Sequence, residues 1–405
     1  MIPFSPPYIT QEAIDSVVET LKSGWITTGP KTKKFEKELS AYNGNGATLC
    51  LNSATAGLEV MLQWFGVTEG DEVILPAYTY CATANVVIHM GATPVFVDVN
   101  AIDFNINVAN VRKAITSKTK VIMPVDFAGY PCDYSELNTL VNDASIKALF
   151  VANGANQTKL GRIMILSDAA HSIGAQYKGK RTGALTDVSV FSFHAVKNLT
   201  TAEGGAIALN FSAPFDNEEI YKELCIKTLH GQNKDALAKM QKGNWKYDIV
   251  EAGYKCNMTD ISAAIGLVEL GRYESEILPQ RKRIYDRYTA LLSKYDWAVI
   301  PEYVSNDKLT SYHLYTLRIK GITEVQRDAI MQVIFDHDVS VNVHFIPVPM
   351  LSFYKKQGYD IGNYPVTYTN FSTEISLPVF YALTDDNIET VVNAVVDGVS
   401  KVLNV

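Results

Sequence analysis

Between residues 47 and 210 the chain repeats one pattern: a short, continuously apolar run, as in ATLCL, EVILP, PVFVDV, VIMPV, IMILSD, VSVFSFH and AIALN, with polar or helix-patterned sequence between. A run that is apolar at every position has no face to give to water, so it reads as a strand covered on both sides. Such strands belong to a mostly parallel sheet, and this part of the chain is therefore expected to be an α/β layer structure. The intervening helices show their own period: Leu58, Met61, Leu62 and Phe65 form an i, i+3, i+4, i+7 stripe that Gly66 ends.

After Gly253 the texture changes. Asp260 opens the apolar-faced helix DISAAIGLVEL, and ESEILPQRKRIYDRYTALLSKY reads as a helix leading to a new unit. The boundary is expected near Ser275, which makes residues 1–274 a large domain and 275–405 a smaller α/β domain. In the latter, strand candidates SYHLYTLRI, VSVNVHF and EISLPVF are separated by the helix patterns EVQRDAIMQVIFDH and TDDNIETVVNAVVDGVSKVL. A total of 405 residues is more than one core usually supports, which agrees with that division. Residues 142–162 are polar and read as a loop inserted between two strands.

Composition removes several classes of function. A formal charge of −7 and a pI near 5.6 argue against general nucleic-acid binding, so an anionic ligand would need local help. No apolar stretch approaches the length of a membrane span. Five scattered cysteines without a CxxC pair suggest neither disulfides nor a bound metal, and the opening MIPFSPPYITQEAIDSV lacks a basic, then apolar, leader. A cytoplasmic protein is expected.

Four segments carry chemistry: SATAG at 53–57, SDAAHS at 167–172, SFHAVKN at 192–198 and TTAEGGA at 200–206. SATAG lies between a strand and a helix, where free N–H groups and small hydroxyls favour a phosphate; Ser53 and Thr55 are the candidates. An ordinary helix cap has the same residues. Asp168 ends an apolar strand, which puts its carboxylate at the carboxyl edge of the sheet, beside a cation such as a pyridinium N–H or as a cap of the next helix. His171, one turn on, would stack on a ring or pack beneath it. Lys197 sits between an apolar strand and the small-residue segment AEGGA, a setting that would bury its amine, lower its pKa and make it a nucleophile. Ser192 could supply another phosphate hydroxyl.

The order and wording of these segments resemble the DegT/DnrJ/EryC1/StrS family of sugar aminotransferases, which are fold-type I enzymes dependent on pyridoxal 5'-phosphate (PLP). The resemblance extends to the opening IPFSPPYITQEAIDSVVETLKSGWITTGP, the turn PAYTYCATANVVIHMGATPVFVDV and the tail ISLPVFYALTDDNIETVV. The match around SFHAVKNLTTAEGG is especially close to the subgroup that aminates C4 of nucleotide-linked sugars.

The resemblance implies Lys197 as the Schiff-base and proton-shuttling lysine, Asp168 on the pyridine nitrogen and His171 beside the ring. It implies Tyr80 over the ring face, although a core tyrosine is its rival among 22 tyrosines. Ser53, Ala54, Thr55 and Ser192 match the phosphate cup, and Glu203 and Gly204 match the segment that closes over the site. GYKCNMTD resembles a loop that enters the partner's site across a homodimer with shared active sites. Many members carry Asn and Arg where this chain has Lys255 and Asn257, so either residue could make the phosphate contact. His313, Tyr315 and His344 match substrate contacts from the small domain, with core or loop histidines as the alternative.

Relatives with His in place of the lysine are sugar dehydratases, so Lys197 points to transamination, with glutamate as donor and a UDP-linked 4-keto-6-deoxy-N-acetylhexosamine as the preferred acceptor. Three other readings remain open at this point: a PLP enzyme acting on an amino acid, amination at C3, and a regulatory relative without activity.

Overall fold

The computed structural model describes residues 1–234 and 246–404. The seven apolar runs become the seven strands of one sheet: β1 (Ala47–Leu51), β2 (Glu72–Pro76), β3 (Thr93–Val97), β4 (Thr119–Ile122), β5 (Met164–Asp168), β6 (Val188–Ser192) and β7 (Gly205–Leu209). Their spatial order is β1-β7-β6-β5-β4-β2-β3. All are parallel except β7, which runs antiparallel to both of its neighbours. Every residue of β1, β4, β5 and β7 is buried, as continuous apolar runs require.

The exception has a local cause. A parallel crossover needs a helix, and the connection from β6 to β7 has none; it turns back directly and so must deliver β7 antiparallel. That return, Phe193–Gly204, contains Lys197.

Helix α1 (Gln11–Ser23) lies near the start of the chain, α2 (Ala54–Phe65) follows β1 and α3 (Cys81–His89) follows β2. The expected stripe on α2 is buried at all four positions, and Gly66 ends the helix in the left-handed conformation (φ 82°). Gly57 lies against the sheet so closely that a Cβ would fall 2.9 Å from Val190 Cγ1.

Residues 142–162 are not a loop. They form two short helices, Ala144–Leu149 and Ala155–Leu160, pinned beneath the large domain. Their anchors are polar, which is why the sequence pattern hides them: the Gln157 amide donates to Gly66 O (3.1 Å), the Asn156 amide to Trp64 O (2.8 Å) and Lys120 Nζ to Val151 O (2.5 Å).

Helix α4 (Asp260–Arg272) passes through a π turn, Tyr273–Ile277, directly into α5 (Leu278–Leu292). Position 275 therefore falls within one continuous helical stretch. Beyond it lies a three-stranded antiparallel sheet of β8 (Ala298–Val299), β9 (Tyr315–Ile319) and β10 (Glu374–Leu377). Helices α6 (Glu324–Asp336) and α7 (Asp385–Leu403) contribute Ile330, Ile334, Val391 and Val395 to its core.

VSVNVHF, expected as a strand, forms none. Single bridges hold it, Val339 to Ile2 and Asn342 to Ser376, and the His344 N–H donates to the Glu374 carboxylate (3.1 Å), where a strand would donate to a carbonyl. The N-terminal residues thus pair with the second unit: Ile2 N donates to Asp338 O and Ser340 N to Ile2 O.

Candidate active site

Because β1, β5 and β6 are mutually parallel, the residues that end or follow them meet at one edge of the sheet. There they line a cavity of about 390 Å³, large enough for a cofactor-sized ligand. Ser53, Ala54 and Thr55 form one end of it together with Ser192. The Ser53 hydroxyl accepts from Ala56 N–H (3.1 Å), so it caps α2 and lines the cavity at once; the cap and the cup are the same structure. A helix start offers backbone N–H groups with no helical partner, the ordinary basis of a phosphate site.

The AEGG glycines explain how this end closes. A Cβ on Gly205 would stand 2.4 Å from Ala54 N and 2.5 Å from Ser53 C, so β7 can approach the cup only without a side chain. A Cβ on Gly204 would meet Thr201 Oγ1 at 2.1 Å.

The other end is built around Asp168. Burial raises its carboxyl pKa, while the Thr83 hydroxyl (2.8 Å) and the Ala170 N–H (3.2 Å) oppose the shift. Thr79 lies 2.8 Å from Thr83 and extends the chain of hydroxyls. A buried carboxylate given only neutral donors is short of positive charge. Lys197 faces it. The Lys197 N–H bonds back to His194 O (2.9 Å) in a tight turn, and burial lowers the amine to about 8, against the pull of Asp168.

Four histidines line the cavity: His194 near Glu203, and His171, His313 and His344 in its walls. His171 and His313 have ring centroids 4.3 Å apart, and burial holds both well below the ordinary histidine pKa. His171 Nδ1 is buried without a hydrogen-bond partner among the described residues, as expected of a ring that packs flat on a ligand rather than bonding to the protein. Asn198 donates from its amide to Ser311 O (2.7 Å), so its oxygen accepts from His313 Nδ1–H (2.8 Å) and fixes that ring. His344 stacks on Phe4 at 5.3 Å.

Tyr80 is no core tyrosine: it is 59% exposed, lines the cavity and lies 5.6 Å from the Phe345 ring. Glu203 lines the cavity mouth with Gly204 and stands 3.7 Å from His194.

Three expected residues are placed elsewhere. Tyr315, expected at the substrate, is fully buried in the small-domain core with its hydroxyl 3.1 Å from Thr289. The strand begins only at Tyr315, so the same-face rule does not link that position to His313, which lies in the preceding irregular segment. Lys255 and Asn257 do not line the cavity of their own chain; they bond to each other, and Asn257 Nδ2 donates to Thr28 Oγ1 (2.5 Å).

Thr83, Thr79, Asn198, Phe4 and Phe345 also belong to the site or its supports, and no motif in the sequence points to them. The i, i+4 spacing of Thr79 and Thr83 was visible, but nothing in the sequence pairs Thr83 with an acid 85 residues away.

PLP fits this constellation on structural grounds: a lysine with a lowered pKa, a buried acid whose hydrogen-bond donors are all neutral, a histidine with an unbonded nitrogen, and a hydroxyl cup that β7 meets through bare glycine. The comparisons agree. The family model described as the DegT/DnrJ/EryC1/StrS aminotransferase family matches residues 7–396. Spr1654 of Streptococcus pneumoniae, described as a sugar aminotransferase, superimposes in its PMP form with a TM-score of 0.96 at 47% identity over 99% of this chain and 100% of that one. Its PLP form gives 0.94 at 45% identity, with 99% of each chain covered. The spore coat polysaccharide biosynthesis protein SpsC of Bacillus subtilis is 35% identical over 98% of this chain and 96% of that protein. Protein MJ1066 of Methanocaldococcus jannaschii is 39% identical over 98% of each.

Proposed function

Since the chain belongs to the DegT/DnrJ/EryC1/StrS aminotransferase family, a family of PLP-dependent transaminases, we propose that it moves an amino group from glutamate to the 4-keto carbon of a UDP-linked 6-deoxy-N-acetylhexosamine. The setting we infer is bacterial surface-polysaccharide or glycan assembly. One observation carries the reading: Lys197, Asp168 and the Ser53/Ser192 cup converge on a single cavity. The similarity to a sugar aminotransferase and to a polysaccharide biosynthesis protein supports a sugar as the acceptor.

When bound, PLP supplies an electron sink that stabilises negative charge on the substrate carbon. The residues do the rest. Lys197 would hold the cofactor, and its amine, when neutral, could take a proton from one carbon and return it to the next. Asp168 would keep the ring nitrogen protonated, and the Thr83 hydroxyl holds that carboxylate in place. The start of α2 with Ser53, Thr55 and Ser192 would anchor the phosphate, and His171 and Tyr80 in the cavity walls would flank the ring. Both substrates use the same lysine in turn, so the kinetics should be ping-pong.

We also propose a homodimer with shared sites. Ile14, Val18 and Leu21 form an exposed apolar stripe on α1, and Lys255 and Asn257, bonded to each other, stand outside their own cavity, where they could serve a neighbour's. Among the described residues no helix is long and apolar enough to cross a membrane, and all five cysteines are free, which suits the cytoplasm we propose.

The test is a coupled assay with glutamate and a panel of UDP- and dTDP-4-keto sugars. An amino-sugar nucleotide should appear with stoichiometric 2-oxoglutarate. Release of 2-oxoglutarate without any accepted sugar would refute the acceptor, and no reaction with glutamate would refute the donor.

A further inference from the structure

The hydrogen bonds behind His344 run into the protein and end on a buried acid. His344 Nδ1 is 2.9 Å from Ser376 Oγ, the Ser376 hydroxyl is 2.5 Å from Glu374 Oε1, and the His344 backbone N–H donates to Glu374 Oε2 at 3.1 Å. Glu374 and Ser376 are fully buried, on β10. With Nδ1 turned to Ser376, the Nε2 end of the ring is left for the cavity that His344 lines. We propose that Glu374, acting through the Ser376 hydroxyl, decides which nitrogen of His344 carries the proton, making the cavity end of that imidazole a hydrogen-bond donor at neutral pH and an acceptor in alkali. Glu374 is thus a positioning residue; the inference rests on this cavity being the substrate site proposed above.

The argument is a count of protons. Ser376 has one hydroxyl proton, and it can serve only one neighbour. Oε2 of Glu374 must accept, because the His344 N–H donates to it, so a proton on the carboxyl group sits on Oε1. When Glu374 is protonated, Oε1–H donates to Ser376, Ser376 donates to His344 Nδ1, and the neutral ring carries its proton on Nε2. When Glu374 is ionised, the Ser376 proton turns to the carboxylate and Nδ1–H donates to Ser376, which leaves a lone pair on Nε2. The change releases one proton from Nε2 into the cavity while the acid's proton passes along the chain to Nδ1.

The surroundings support both states. Glu374 receives hydrogen bonds from two neutral donors, and burial raises its carboxyl to about 8. Arg327 and Arg318 lie near enough to favour its ionised form, yet the guanidinium of Arg327 bonds to Phe371 O, Glu374 O and Asp328, and that of Arg318 to Ala101 O and Asn370. Tyr78 is buried beside them, and burial raises its hydroxyl well above the ordinary tyrosine pKa. On the cavity side Lys197, His171 and His313 face His344, and burial, followed by the charge of Lys197, holds its ring neutral with a pKa of about 3. Neutral His344 is therefore left to choose a tautomer. Below about pH 8 it should offer Nε2–H, suited to an oxygen of the substrate.

The experiment is two-bond ¹⁵N–¹H correlation on the PLP-loaded protein labelled at histidine, with His344 assigned from its absence in His344→Gln. The wild type should show the Nε2–H tautomer near pH 6 and cross to Nδ1–H with a midpoint near 8. Glu374→Gln should hold Nε2–H throughout, because the new amide must keep its oxygen on the His344 N–H and its NH₂ on Ser376. Ser376→Ala cuts the link, so the ring should stop following the titration even if Glu374→Gln fails to fold. With substrate, wild-type affinity should fall in alkali as Nε2 loses its proton, and Glu374→Gln should lose that pH dependence. A wild-type ring that keeps one tautomer across the range, or a Glu374→Gln or Ser376→Ala ring that titrates like wild type, overturns the inference. The tautomer needs no substrate to be read, so a failure of the sugar assay with the switch intact would count against the proposed function alone.

Discussion

The lysine proposed to carry the chemistry is set apart by its burial. An ordinary lysine is almost wholly protonated near pH 8, whereas burial brings Lys197 to about 8, so roughly half of it is neutral and nucleophilic there. Capture of PLP by the stripped protein should therefore speed up with pH and level off just above 8, read from the absorbance change; a rise continuing toward 10.5 would show an unperturbed amine. Asp168 raises the pKa of that amine, so Asp168→Asn should move the plateau to lower pH. Borohydride reduction and peptide mapping should find the pyridoxyl group on Lys197, and an adduct on another lysine would overturn the assignment.

The same Asp168→Asn protein should retain PLP, since the cup is separate from the acid, but turn over more slowly by about 2.7–4 kcal/mol, a hundredfold to a thousandfold. Thr83→Val removes one donor to that carboxylate and should cost about tenfold in kcat with PLP still bound. Wild-type rates in either variant would remove Asp168 from the ring nitrogen.

At the scale of elements, the site depends on the return from β6 to β7. That connection holds Lys197 in a turn, and its last residues, Gly204 and Gly205, let β7 lie against the start of α2. Gly205→Ala should be destabilising by about 1–3 kcal/mol, because the atoms it meets are backbone and cannot swing aside. PLP affinity should fall with it, since the displaced atoms belong to the cup. Gly271, near the end of α4, is the contrast: a Cβ there meets nothing within 4 Å, and Gly271→Ala should stabilise by about 0.5–1 kcal/mol through helix propensity. Urea midpoints of the two variants should move in opposite directions. A Gly205→Ala protein with wild-type stability and PLP affinity would show that the close approach is dispensable.

At the scale of the whole molecule, the question is where Lys255 and Asn257 act. They cluster beside Thr28 rather than in the cavity of their own chain, and α1 presents an apolar stripe nearby in sequence to that threonine. If the sites are shared, Lys197→Ala and Asn257→Ala proteins, each inactive alone, should recover activity on mixing, because a hybrid dimer contains one site with both residues intact. The expected ceiling is about one quarter of the wild-type rate for random reassortment, since half the dimers are hybrids with one good site of two. A fully active monomer in sedimentation, or no recovery from proven hybrids, would refute the shared site.

Much of this is legible in the sequence alone. Seven continuous apolar runs could only be strands covered on both faces, and all seven entered one sheet. Asp168, Ser192 and Ser53 could be placed at a common edge because each ends or follows such a run, and the period of α2 was local and strong. The failures share a cause. The helices of residues 142–162 are hidden in the sequence because much of their anchoring is polar and their buried apolar residues, such as Ile146, are few; VSVNVHF has a strand's composition, but its hydrogen bonds go to Ile2, Ser376 and a carboxylate. Tyr315 belongs to the core because β9 starts there and packs it into the small domain, while His313 lies in the irregular segment before the strand. The partners of Asp168, His313 and His344 lie 85, 115 and 32 residues away, and no local pattern encodes a contact made across that span. Period and composition are properties of neighbouring residues and survive in the sequence; pairings between distant polar groups, and the pKa values that burial imposes, exist only once the chain has closed around them.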